Sequence, residues 1–432
     1  MTWETSIPYL VVLAKCVFAV AFVMNILPLL IWAERKGAAY IQDRPGPNRA
    51  HIFGIRAGGL VHTLNDVVKL VMKEDIVPGH VDKTYWMIAP VIAMTVALCT
   101  FVVVPFGDTF MGYQLKVSDI DGGLLFVLAM TSLGVYGVML AGWASNNKFS
   151  LLGGLRASAQ MVSYELAMGL SAVVVFLGAG SVSLSTIAEQ QSGPIWNWNV
   201  ASIPGFIAFV LFWVAAFAET NRTPFDLPEG EAELVGGYHT EYSSLRFALF
   251  FMAEYANMIV ASAVTATMFF GGYNLPFIDG AMLRAHADWV LVAAAGAAPL
   301  FLVFAVIAWK RKDRPFYQAL APDDIRHREP KLFVAIWIGA ALANVGVAAL
   351  GLSGVVGGLS WGPDAVAGFV HLNVLAIKIL IGCWIFIWVR WTLPRFRYDQ
   401  LMGLGWRVML PVAIANVFFA ALWVIAKETF FT

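Results

Sequence analysis

Ile203-Pro204-Gly205-Phe206-Ile207-Ala208-Phe209-Val210-Leu211-Phe212-Trp213-Val214-Ala215-Ala216-Phe217-Ala218-Glu219 carries no charge until its last position, where the chain turns acidic without a break. A helix apolar on every side is made for hydrocarbon, not for the single buried face of a surface helix. Nine further stretches of the same kind surround it, at about 8–32, 84–104, 122–144, 157–184, 247–270, 288–309, 332–356, 367–389 and 407–426. The chain has 432 residues, 59% hydrophobic and 13% charged, against about 25% charged in an ordinary soluble domain. The expected fold is an all-α polytopic membrane protein of about ten transmembrane helices, a single membrane domain over 1–432.

Lys plus Arg and Asp plus Glu each number 28, a zero net charge that excludes a globally basic nucleic-acid binder. The signs are segregated, however. Loops at 33–83, 145–156, 220–246, 310–331 and 390–406, with Arg407, hold 23 of the 28 basic residues. Cationic loops resist translocation, so these are expected to be cytoplasmic and both termini periplasmic. Cys16, Cys99 and Cys383 are scattered through apolar runs, with no CxxC and no Cys/His cluster. No metal site, iron–sulfur site or disulfide is expected from them. The first basic residue, Lys15, already lies in an apolar run, so no cleavable signal is expected.

The 33–83 loop opens with Glu34-Arg35-Lys36-Gly37, then Gln42-Asp43-Arg44-Pro45-Gly46-Pro47-Asn48-Arg49. Pro45-Gly46-Pro47 forces a bend. Arg35, Arg44 and Arg49 suit lipid headgroups or an acidic partner, or serve as a plain positive-inside anchor. From Gly59 to Asp75, Leu60, Leu64, Val67 and Val71 recur at helical spacing, with His62, Asp66, Lys69 and Lys73 on the other side. That pattern fits an interfacial helix or an amphipathic helix packed on its own bundle, and spacing does not separate the two.

The 220–246 loop is the unusual one. Between 219 and 241 there are six acids (Glu219, Asp226, Glu229, Glu231, Glu233 and Glu241) and one base, Arg222. Confined carboxylates raise one another's pKa and can hold protons near neutral pH; a solvated acidic loop is the plainer reading. Glu165 and Glu254 lie inside spans, each beside a tyrosine. An acid at mid-bilayer costs about 2.5–3.5 kcal/mol, so such residues face cavities or proton routes. Lys15 and Lys378, also within spans, fit snorkelling or counter-ion roles equally. The last loop clusters Arg390, Arg395, Arg397, Asp399 and Arg407 among aromatics, suited to a partner's acidic surface, to internal pairing or to interface anchoring.

Three of these stretches in this order closely resemble the H-type subunit family of bacterial respiratory complex I, the NADH-quinone oxidoreductase. The matching residues run from Glu34 to Asn48, from Ala218 to Val235, and from Arg395 to Met402, and the resemblance covers about 1–275 and 361–432. His62-Thr63 stands where the family usually has Gln-Pro. Residues about 276–360 add a helix pair with a basic loop to the family's usual eight spans.

The resemblance implies a multi-pass protein of the bacterial inner membrane, seated among small membrane subunits, antiporter-like subunits and the peripheral iron–sulfur and quinone-site subunits. It implies a tunnel admitting ubiquinone or menaquinone from the lipid as substrate, with NADH, FMN and iron–sulfur clusters confined to partner subunits. By the same likeness, Arg35, Asp66, Arg222, Phe225 and Arg246 would line the quinone chamber. Glu165, Glu219, Asp226, Glu229, Glu231, Glu233 and Glu254 would form the proton pathway, and Arg44, Arg49, Arg395, Arg397 and Asp399 would dock partners. Two other readings stay open: the homologous membrane component of an energy-converting hydrogenase, and a stand-alone ion-coupled transporter, for which the inverted repeats common in such proteins are missing.

Overall fold

Hydrocarbon offers the backbone no hydrogen-bond partners, so a spanning chain must satisfy its own N–H and C=O groups as a helix or a closed barrel, and apolar runs of about 20 residues select the helix. The computed structural model describes residues 3–431 except 45, 111, 119, 229, 231–233, 311–312, 314–317, 319–323 and 325–326. Its helices are α1 (Trp3–Ile41), α2 (Val61–Met72), α3 (Lys83–Thr100), α4 (Gly123–Ala144), α5 (Lys148–Ala179), α6 (Ile203–Glu219) and α7 (Ser244–Phe269). They continue as α8 (Ala287–Lys310), α9 (Arg328–Leu352), α10 (Gly362–Thr392) and α11 (Tyr398–Thr429). Among the described residues nine helices are long and apolar enough to cross a membrane, and Ile203–Glu219 is a shorter apolar one. Together these are the ten expected spans. The amphipathic α2 is shorter still, and short helices such as Leu184–Gln190 and Gly280–Ala285 lie in the connections.

Local chemistry sets several ends. Asp82 caps α3 by accepting from Thr84 N at 3.2 Å, and Asn147 caps α5 by accepting from Phe149 N at 2.9 Å. Ser202 accepts from Gly205 N at 3.1 Å ahead of Pro204, which pre-sets the first turn of α6. Apolar burial gives no preference between helix and lipid, so helices associate here by close packing. A Cβ on Gly142 would lie 2.5 Å from the Ser150 carbonyl, so α4 and α5 approach at a distance only glycine permits.

Two helices run on past their apolar stretches. α1 continues through Glu34, Arg35 and Lys36 to Ile41, so this segment, expected at the start of a loop, is helical. At 39 residues it is about 58 Å long, well beyond the roughly 30 Å of hydrocarbon. α10 likewise carries Arg390 on its last turn.

α2 turns its apolar face outward. Leu64, Val67, Val68 and Val71 are exposed, while Thr63 is buried and Asp66 half-buried. The face is therefore offered to lipid or to another chain, not packed against its own bundle. His62, the departure from the family pattern, accepts from both Arg49 N and Ala50 N at 3.0 Å and so fixes the loop before the helix.

α8 and α9 pack chiefly on each other, with Ala305, Ala308, Ala341 and Ala348 in the seam and Trp337 beside Phe301 and Phe304. The foot of α9 is tied to the first loop: buried Arg56 Nε meets buried Glu329 Oε2 at 2.7 Å, and Asn48 accepts from the same guanidinium.

The intramembrane lysines are accounted for by backbone. Lys378 Nζ donates to the carbonyls of Phe270, Gly272 and Asn274 at 2.7, 2.8 and 2.8 Å. These lie at and beyond the C-terminal end of α7, where helix carbonyls have no intrahelical partner. Lys15 Nζ donates to Gln114 O at 2.7 Å.

Candidate functional site

The end of α6 delivers Arg222 into the bundle. Its side chain is 2% exposed, with Nη1 3.0 Å from Glu34 Oε2 on α1 and Nε 2.7 Å from Glu254 Oε1 on α7. The guanidinium lies over the Tyr255 ring at 4.2 Å, and Tyr255 donates its hydroxyl to Glu34 Oε2 at 2.5 Å. Arg390 of α10 closes the cluster, Nη1 standing 2.7 Å from Glu34 Oε1. Two guanidiniums thus balance two carboxylates, the condition under which four charges can share a dry interior. Burial opposes the Arg222 charge, but Glu254 and Glu34 outweigh it and raise its pKa further.

The acidic loop is tied down beside this cluster. Asp226 Oδ2 pairs with Arg395 Nη2 at 2.9 Å, and Phe396 N donates to Pro224 O at 3.1 Å. Burial raises the Asp226 carboxyl, and Arg395, Arg390 and Arg222 pull it back down. Buried Phe225 fits between Tyr164, 5.5 Å away ring to ring, and Phe396, at 5.6 Å. Buried Gln160 of α5 donates to the carbonyls of Ala218 and Phe225, both at 2.8 Å, fixing where the loop starts.

From Glu254 a line of polar groups leads into the span region. A cavity of about 40 Å³ is lined by Glu254, Asn257, Thr220, Glu219 and Thr131. A second, of about 30 Å³, shares the last four of these. Each is large enough for water, which needs about 10–15 Å³. Glu219 lies between them, 6% exposed, and among the described residues neither of its carboxylate oxygens has a hydrogen-bond partner. Beyond it Ser132, next to Thr131, donates to Glu165 Oε1. The order Glu254, Glu219, Glu165 therefore joins three acids on α7, α6 and α5 through two small cavities and a hydroxyl.

Arg35 and Asp66 meet at 2.5 Å between α1 and α2, partly exposed on the side of the molecule that carries the cluster. Arg246 does not join them: it pairs with Asp75 at 2.9 Å and lies over the Trp86 ring at 4.5 Å. Arg44 and Arg49 are exposed, and Arg397 and Asp399 form an exposed pair at 3.6 Å. Arg395 points inward to Asp226. Glu229, Glu231 and Glu233 lie outside the described residues.

A protein-family model described as NADH dehydrogenase matches residues 14–318 and 331–421. The chain belongs to the H-type subunit family of NADH-quinone oxidoreductase. It is 42% identical over 411 residues, 94% of each chain, to the first H-type NADH-quinone oxidoreductase subunit of Solibacter usitatus. It is 41% identical over 405 residues to the H-type NADH-quinone oxidoreductase subunit of Leptospira biflexa, covering 91% of this chain and 89% of that one. Against NADH-quinone oxidoreductase subunit 8 of Rhodothermus marinus it is 40% identical over 422 residues, 97% of this chain and 96% of the other. Membership makes the chain a membrane component of an oxidoreductase complex. The family match takes in α8 and all but the first three residues of α9, leaving out 319–330.

Two members of the buried cluster are not singled out by sequence alone. Glu34 is legible there only as part of a loop motif and Arg390 only as one arginine among several, because both lie on helical turns beyond the apolar runs. The available signal is charge at helical spacing continuing from a span: Glu34 follows Leu30 by one turn, and Arg390 follows Phe386.

Proposed function

We propose that this chain forms the quinone chamber and the first stretch of a lateral proton path in a proton-pumping NADH-quinone oxidoreductase of a bacterial inner membrane. The carrying observation is Arg222, buried between Glu34 and Glu254 at 3.0 and 2.7 Å, with Glu219 next along the cavity. In this reading the quinone head approaches from the side of Arg35 and Asp66, and the acidic loop from Glu219 through Glu229, Glu231 and Glu233 lines the passage between head and membrane. Electron arrival places negative charge near the guanidiniums. The hold of Arg222 on Glu254 then weakens, Glu254 takes a proton, and the proton passes by way of Glu219 to Glu165.

The redox steps belong to partner subunits: peripheral subunits carrying FMN and iron–sulfur clusters, with small and antiporter-like membrane subunits alongside. The basic loops face the cytoplasm and both termini the periplasm. Exposed Arg44, Arg49, Arg397 and Asp399 meet the peripheral subunits, and the outward apolar face of α2 contributes to the same contact. The quinone-oxidoreductase names of the relatives support this reading over the hydrogenase component. The test is purification of the native membrane complex through a tag on this chain. Co-purifying iron–sulfur subunits with inhibitor-sensitive NADH:quinone reductase activity support it; a chain that comes down with a hydrogenase, or alone and inactive, removes the quinone chamber.

A further inference from the structure

One residue of the first loop bridges α9 and α1. Gly58 N donates to Glu329 Oε1 at 3.3 Å, and Gly58 O accepts from Trp32 Nε1 at 3.1 Å. The other oxygen of Glu329 takes Arg56 Nε at 2.7 Å, and Arg56 also donates to Asn48. We propose that Glu329 is a positioning residue for quinone reduction: by holding Arg56 and Gly58 it sets the start of α2, and so the place of Asp66 against Arg35. The role rests on the quinone-chamber reading above and extends it to the α8–α9 pair. Glu329 falls within 319–330, the stretch outside the family match, so family likeness assigns it nothing.

α2 does not fix its own start. Its N-cap position is Leu60, which has no side-chain oxygen to accept from the first turn. The chain enters the helix through tertiary ties instead. Gly58 and Gly59 have φ of +64° and +103°, a region open to glycine, and a Cβ on Gly59 would fall 2.4 Å from Pro47 O. Ile52 and Ile55 exchange backbone hydrogen bonds at 3.1 and 2.9 Å, so the loop folds back on itself and the Arg56 guanidinium crosses its neck to Asn48. Whatever holds Arg56 and Gly58 therefore holds the entry to α2.

The lever is short. Trp32 stands one turn before Arg35 on α1, and Asp66 lies five residues past Val61 on α2, about 8 Å along the axis. The Trp32–Gly58 bond at 3.1 Å and the Arg35–Asp66 pair at 2.5 Å are thus two successive ties between α1 and the α2 segment. Glu329 braces the first of them from α9. Its carboxylate lies in the first turn of that helix, beside the positive end of the helix dipole. Both Arg56 and Glu329 are buried, so removing either charge alone leaves the other badly matched.

The test uses the assembled complex in membranes, tagged on this chain. NADH oxidation by ferricyanide counts assembled complexes, and oxidation by decylubiquinone or a short-chain menaquinone, whichever the parent reduces, gives KM and kcat. A helix start placed correctly about one-fifth of the time weakens apparent affinity about fivefold. Glu329→Gln should therefore raise the quinone KM roughly fivefold, with kcat per assembled complex little changed. Arg56→Met/Glu329→Met removes both charges together, so assembly should be preserved while KM stays raised. Amide hydrogen exchange over 48–72 should quicken in both variants. A parental KM in the assembled double variant, or a loss confined to the amount of complex, would overturn the proposal. A parent complex that reduces ferricyanide but neither quinone would remove the quinone chamber itself, a failure visible before any variant is measured.

Discussion

Arg222 Nη1 stands 3.0 Å from Glu34 Oε2, although 188 residues of chain separate them. Glu34 is shared: its other oxygen meets Arg390 at 2.7 Å, so one carboxylate on α1 fastens the acidic loop to the end of α10. Removing one member of a buried ion pair costs about 3–5 kcal/mol, because the partner's charge is left uncompensated. Glu34→Gln should therefore sharply lower the yield of assembled complex. Adding Arg390→Gln should recover part of the loss, with a coupling of about 0.5–3 kcal/mol in a thermal-stability cycle. Additive losses would show that the two residues do not share this cluster.

The Asp226–Arg395 pair links the acidic loop to the last loop at 2.9 Å. Burial raises the Asp226 carboxyl and Arg395 is the foremost group opposing that rise. Arg395→Gln should raise it further, so that Asp226 takes a proton at higher pH. The acid limb of the quinone-reductase pH profile is expected to move to higher pH, and to stay in place in Arg395→Lys. An unmoved limb in Arg395→Gln would separate Asp226 from turnover.

Much of the fold is legible because hydrocarbon tolerates only helices and closed barrels, and a run as long and evenly apolar as Ile203–Glu219 fits the helix. Hydropathy does not give where helices end. Glu34, Arg35 and Lys36 read as loop, yet the helix persists because Glu34 finds Arg222 and Arg390, and Arg35 finds Asp66. Periodicity gives the apolar stripe of α2 but not its direction, which depends on neighbours it cannot encode. The acids Glu219 and Glu254 are legible as costly charges in apolar runs; that Arg246 pairs with Asp75 away from Arg35 and Asp66 is not, since family likeness carries no contacts.

His239 packs against Tyr238 and Phe247, each with ring centroids 5.1 Å away, and burial pushes its pKa down from 6.5 to about 4. Folded, it stays neutral while the unfolded chain binds a proton below about 6.5. Stability is therefore lost as pH falls from about 6.5 toward 4, on the order of 3 kcal/mol by the lower limit. The melting temperature of the solubilised complex should fall less steeply over that window in His239→Phe than in the parent. Parallel curves would contradict it.

Lys378 Nζ satisfies three carbonyls at and beyond the end of α7. An unsatisfied buried polar group costs about 1–3 kcal/mol, so Lys378→Met should bring thermal inactivation of the complex to clearly lower temperature. The proton-to-electron ratio of the surviving enzyme should be unchanged. A lowered ratio would instead make Lys378 part of the proton route.

In the proposed route, protons travel from the Arg222 cluster through Glu254 and Glu219. The most direct measurement is the number of protons moved per NADH in proteoliposomes of the assembled complex carrying Glu254→Gln or Glu219→Gln. Quinone reduction that persists with a clearly lower proton yield is the expected result. Full proton yield in both variants would contradict the route and leave the cluster a structural clasp.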